Sequence, residues 1–126
     1  INVSLKSRNN FAPSEKPGVT WGQILDGGAS DGFLGIVGDD PSGPAADVEI
    51  AIYDDSGEVG RTIRAMPPGA SVLANVAEII GHEPRTAEDG HGSNYWFVAR
   101  STRSDLTAMS VTRHSAVRQF TGEHGF

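Results

Sequence analysis

Gly28-Ala29-Ser30-Asp31-Gly32 has the G-x-S-x-G spacing of a nucleophile elbow. In that motif a sharp strand-to-helix turn presents the serine at a helix N-terminus. A nearby histidine then takes the hydroxyl proton, and backbone N–H groups hold the oxyanion. His82, His91, His114 and His124 are the bases this chain offers. Phe33 to Val37, just after the motif, is apolar and strand-like, so the required helix is not expected. Nothing in the spacing sets a histidine beside Ser30. A Ser30 hydrolase is therefore a remote reading, and the chain is expected not to be an enzyme.

His82, Glu83, Glu88, Asp89 and His91 crowd one polar stretch. Imidazole and carboxylate suit zinc and related divalent ions, which makes His82, Glu88, Asp89 and His91 the candidate metal ligands. No H-E-x-x-H or i, i+4 pair fixes their geometry, and a solvated surface loop explains them as well. Asp39-Asp40 and Asp54-Asp55 offer oxygen ligands of the kind calcium takes. Asp54-Asp55-Ser56-Gly57-Glu58 superficially resembles an EF-hand loop, but it lacks the length and the final glutamate spacing. Asp, Ser and Gly are also ordinary turn chemistry, and the turn is the favoured reading. With no cysteine, thiol catalysis, Cys-ligated zinc and iron–sulfur clusters are excluded. No cofactor is expected.

Trp21, Tyr53, Tyr95 and Trp96 could each stack on the apolar C–H face of a sugar ring, although aromatics within apolar strands are more often core. Tyr95 and Trp96 are adjacent, so a strand points them to opposite faces. Trp21, Tyr95 and Trp96 are the candidate ligand-binding residues. Asn2-Val3-Ser4 matches a glycosylation sequon, and an ordinary strand explains it equally.

The elements that position these groups follow from periodicity. Ile1, Val3 and Leu5 alternate with polar residues, as a strand with one buried face does. Strands are also expected over Val19 to Leu25, Phe33 to Val37, Ser71 to Leu73, Tyr95 to Arg100, Leu106 to Thr112 and Ala116 to Phe120. Val48, Ile50 and Ile52 alternate into Asp54-Asp55-Ser56-Gly57, and Val59 to Met66 returns, which reads as a hairpin. Ala74 to Ile80, stopped by Gly81, is the one expected helix. Val48, Ile50, Ile52, Ile63, Phe97 and Val111 are the expected core. Turns every 8 to 12 residues or so predict one all-β domain over residues 1–126. Its form is an antiparallel sandwich, immunoglobulin-like or jelly-roll-like, with about 7–9 strands and at most one short helix.

The net charge is −6, which argues against nucleic acid as a general partner. Residues 17–60 hold nine acids and no Lys or Arg, whereas residues 91–126 hold four arginines against Asp105 and Glu123. No apolar run approaches the roughly 20 residues of a membrane helix, so membrane insertion is not expected. The chain opens on Ile1 rather than Met, as a segment freed from a leader or trimmed would.

Val48 to Arg100, with Val-Glu-Ile-Ala-Ile-Tyr-Asp, Asp-Ser-Gly, an alternating strand and Pro-Pro-Gly, resembles immunoglobulin-like sandwich modules of secreted bacterial surface proteins. The resemblance covers less than half the chain and carries over no catalytic residue. It implies an extracellular or cell-surface module acting in structure or adhesion. Self-association or contact with other surface proteins is the expected partnership, with a filament subunit as one form. Ile1, Val3 and Leu5 would then be the strand added to a neighbour's sheet edge. The alternative function is a carbohydrate-binding module that uses exposed aromatics.

Overall fold

The computed structural model describes residues 18–81, 93–114 and 119–125. The described elements are β1 (Gly18–Asp26), β2 (Ser30–Gly38), β3 (Ala46–Asp54), β4 (Gly57–Met66), β5 (Ser71–Asn75), α1 (Val76–Ile80), β6 (Ser93–Ser101), β7 (Leu106–His114) and β8 (Gln119–His124). They form two antiparallel sheets, ordered β1-β6-β3-β4 and β5-β2-β7-β8. This is the expected all-β sandwich.

Alternation explains the layering. Thr20, Gly22 and Ile24 of β1 turn inward while Val19, Trp21 and Gln23 turn out. Val48, Ile50 and Ile52 of β3 meet Tyr95, Phe97 and Ala99 of β6 in the same buried cluster as Leu34, Ile36, Leu106 and Ala108 of the second sheet. Helix α1 packs against β4, β5 and β2 and adds Val76, Ile79 and Ile80 to that cluster. On the far side β1 lies over β7 and β2.

Two expected core residues face the other way. Ile63 is 63% exposed and Val111 only partly buried, because each lies at an outward position of its strand. The helix is also shorter than expected. Val72 and Ala74 pair with Ile36 and Leu34 as strand, and α1 starts only after Asn75, whose side chain accepts from the Glu78 N–H. Gly81 ends it in the left-handed region, as expected. The last strand runs later than expected, over Gln119–His124.

The β3–β4 hairpin forms on its turn chemistry. The Asp54 carboxylate accepts from the Ser56 N–H at 2.7 Å and from its hydroxyl, so these acids serve the turn. Gly57 closes it with φ +117°, a region a side chain disfavours, although the space around it is open. Gly57→Val should therefore lower stability by about 1 kcal/mol or more through backbone strain alone. Denaturant unfolding checks this, and an unchanged midpoint would remove the argument.

Candidate functional site

Four strands set the outward face of the first sheet. Register aligns Val19, Arg100, Glu49 and Ile63 in one row, and Trp21, Val98, Ala51 and Arg61 in the next. Gln23, Trp96, Tyr53 and Glu58 form the third row. Trp21 (47% exposed) and Trp96 (43% exposed) are thus diagonal neighbours on adjacent strands, a separation of roughly 7–8 Å within reach of large rings. Tyr53, partly buried, lies opposite Trp96. Arg61 is tied down beside them, donating to Glu58 and Glu49. Tyr95 is a correction: at 2% exposure its ring belongs to the core, because its neighbour Trp96 took the outward position. Tyr53, one of the four aromatics suited to stacking but not among the candidate ligand-binding residues, shares the face because cross-strand register sets it beside Trp96.

The edge of this face opens into a cleft of about 250 Å³ between β1 and β8. Gln23, Leu25 and Asn94 line it from the first sheet, and Ser110, Thr112, Thr121 and Glu123 from the second. The Thr112 hydroxyl donates to the Leu25 carbonyl across the two sheets. The lining is therefore rich in hydroxyl and amide groups that both donate and accept.

Ser30 and His114 meet beyond the cleft. The β2–β7 register sets them directly opposite, with 3.1 Å between Ser30 Oγ and His114 Nδ1. His114 Nε2 lies 3.1 Å from Thr121 Oγ1. No sequence signal placed this histidine there, since the two residues are 84 apart. The surroundings differ from a nucleophile elbow. Gly27 and Ser30 close a tight backbone turn, and Ser30 opens a strand rather than a helix. Gly32 of the motif donates its N–H to the buried Asp26 carboxylate at 2.6 Å. Both imidazole nitrogens face hydroxyls, and among the described residues no carboxylate orients the ring.

The acidic stretch and the arginines meet inside one molecule. Arg103, buried, donates to both oxygens of Asp105 and to the carbonyls of Asp40 and Pro44. Asp105 accepts in turn from the Asp40 N–H, and its backbone carbonyl from the Asp39 N–H. The Arg103 guanidinium holds the Asp105 carboxyl down at about 2. A β-carbon at Gly38 or Gly43 would strike the guanidinium, so these glycines admit it. Asp40 also accepts from the Ser42 N–H, which makes Asp39-Asp40 part of a clamped loop. Arg113 pairs with Asp31. Asp31–Arg113 is thus an ion pair that joins the acidic stretch to the arginines, while Arg103 is held by Asp105 of its own segment and by the Asp40 and Pro44 carbonyls.

The candidate metal ligands His82, Glu88, Asp89 and His91, and the strand residues Ile1, Val3 and Leu5, lie outside the described residues. Among the described residues no cluster of three metal-ligating side chains occurs. No helix among them is long and apolar enough to cross a membrane.

Among solved structures the chain is similar to the crystal structure of Thermotoga maritima 1070, with a TM-score of 0.59 and 16% identity over 86% of this chain and 92% of that one. At such identity the likeness concerns the fold alone. No family model and no curated protein matches the chain.

Proposed function

We propose that this domain is a non-catalytic adhesion module of a secreted or surface protein that holds a saccharide on the outward face of its first sheet. The observation that carries the reading is the placement of Trp21 and Trp96, half-exposed and diagonal to each other, with Tyr53 alongside. A pyranose offers an apolar C–H face that packs on the negative face of an aromatic ring. Its hydroxyls need partners that donate and accept, and Gln23 and Asn94 stand at the border between the aromatic face and the polar cleft. A sugar resting on Trp96 can turn its hydroxyl edge toward Ser110, Thr112, Thr121 and Glu123. The non-catalytic part is supported by His114, whose two nitrogens face hydroxyls, and by the strand context of Ser30.

A glycan array followed by calorimetric titration of the best binder tests the reading. Trp96→Ala and Trp21→Ala should each weaken binding about tenfold or more, roughly 1.4 kcal/mol, with little change in melting temperature. An array without binders, or affinities indifferent to both tryptophans, would end the saccharide reading.

A further inference from the structure

Trp96 and the polar cleft adjoin through Gln23, which is the cross-strand partner of Trp96 and also part of the cleft wall. Asn94, on the same outward face of β6 as Trp96, lines the cleft as well. Across from them stands β8, an edge strand of the second sheet. Cross-strand partners share a face. Glu123 pairs with Ser110, and Thr121 with Thr112, so all four stand on the face turned toward the first sheet, where Ser110 and Thr112 are buried. β8 lies beyond the cover that β1 gives to β7 and β2, which leaves Glu123 exposed at the cleft wall. Glu123 is the one charged group among the described residues that line this cleft. Its side chain joins no ion pair among the described residues. The aromatic face next to it carries Asp47, Glu49 and Glu58 against Arg61 and Arg100, and Arg61 is held by Glu58 and Glu49. In a chain of net charge −6, a ligand lying across Trp96 and the cleft therefore meets an excess of negative charge.

Building on the saccharide reading of this face, we infer that the sugar it holds bears a free, protonated amino group, as a glucosamine-type saccharide does. An equatorial ammonium sits at the rim of a pyranose and leaves the C–H face open to stack on Trp96. It also draws electron density from the neighbouring C–H groups, which makes them more positive toward the negative face of the indole. At the cleft its three N–H donors find the Glu123 carboxylate and the side-chain carbonyls of Gln23 and Asn94. N-acetylation removes the charge and leaves one N–H. A uronate brings a second carboxylate against Glu123 and is repelled.

Calorimetric titration of the full chain with tetramers of glucosamine, N-acetylglucosamine and galacturonate, at mildly acidic pH and low ionic strength, tests this. The glucosamine tetramer should bind roughly three- to fivefold tighter than its N-acetylated form, an advantage of the size of one exposed charge pair, and galacturonate should bind weakest. Added salt should shrink the advantage. Glu123→Gln should abolish most of it while the affinity for the N-acetylated tetramer and the melting temperature hold. Trp96→Ala should weaken both glucosamine forms. Binding through the tryptophans that is no stronger for the amine than for its N-acetylated form, or a preference unmoved by Glu123→Gln, overturns the amino-sugar inference and leaves the saccharide reading standing. So does a silent glucosamine titration beside an array binder of another kind. No binding to any of the three tetramers, together with an array without binders, takes both down.

Discussion

Arg103→Ala should cost about 3 kcal/mol or more and lower the melting temperature by roughly 10 °C. The guanidinium is buried, with side-chain exposure of 3%, and its hydrogen bonds end on Asp105, Asp40 and Pro44. Removing it leaves the Asp105 carboxylate facing a void and releases the carbonyls of the loop that joins β2 to β3. Arg103→Lys should rescue little, because one ammonium cannot make the paired contact with a carboxylate and also reach two carbonyls. The same contact has a pH signature. Asp105 titrates at about 2 in the fold rather than at its ordinary 3.8, so the folded state is stabilised above that ordinary value. That contribution, roughly 1–2 kcal/mol once solvent screening is allowed for, is lost as pH falls from about 5 toward 2. Thermal melts at stepped pH should show this loss in the native chain and a flatter acid limb in Arg103→Ala. Equal acid limbs in the two proteins would remove Asp105 from the account.

Phe97→Ala should cost roughly 3–5 kcal/mol, whereas Ile63→Ala should stay within about 0.5 kcal/mol. Strand alternation makes both look like core. Phe97 is fully buried at the centre of β6, between β1 and β3, and its loss opens a cavity that the surrounding strands fill only in part. Ile63 stands in the row of Glu49 and Arg100, on the solvent side of β4. Equilibrium urea unfolding of the two variants measures the contrast. A large loss at Ile63 would show that something covers the outward face of the first sheet in solution.

These two residues mark the boundary of what was legible from the chain. The sequence by itself determined the class of fold and its local joints. Period-two alternation and frequent turns predicted a sandwich of strands. Asp54 to Gly57 declared a hairpin because its side chains bond their own backbone, and Gly81 declared a helix stop because only its φ mattered. Such features depend on neighbours a few residues away, so their cause is written in order along the chain. What alternation leaves open is which of two faces a strand buries. β4 carries Val59, Ile63 and Ala65 among polar residues, and only pairing with β3 decided that Ile63 faces water. Adjacency alone showed that Tyr95 and Trp96 part company, while the packing of β6 between β1 and β3 decided that Trp96 faces outward. The arrangements with the largest consequences join residues far apart in the chain: Ser30 bonded to His114, Arg103 bonded to the Asp40 loop, and Trp21 set diagonal to Trp96 by register. The first and last rest on register between strands from different parts of the sequence, and register is set by the burial of the whole sheet at once; the second joins the loop after β6 to the loop after β2.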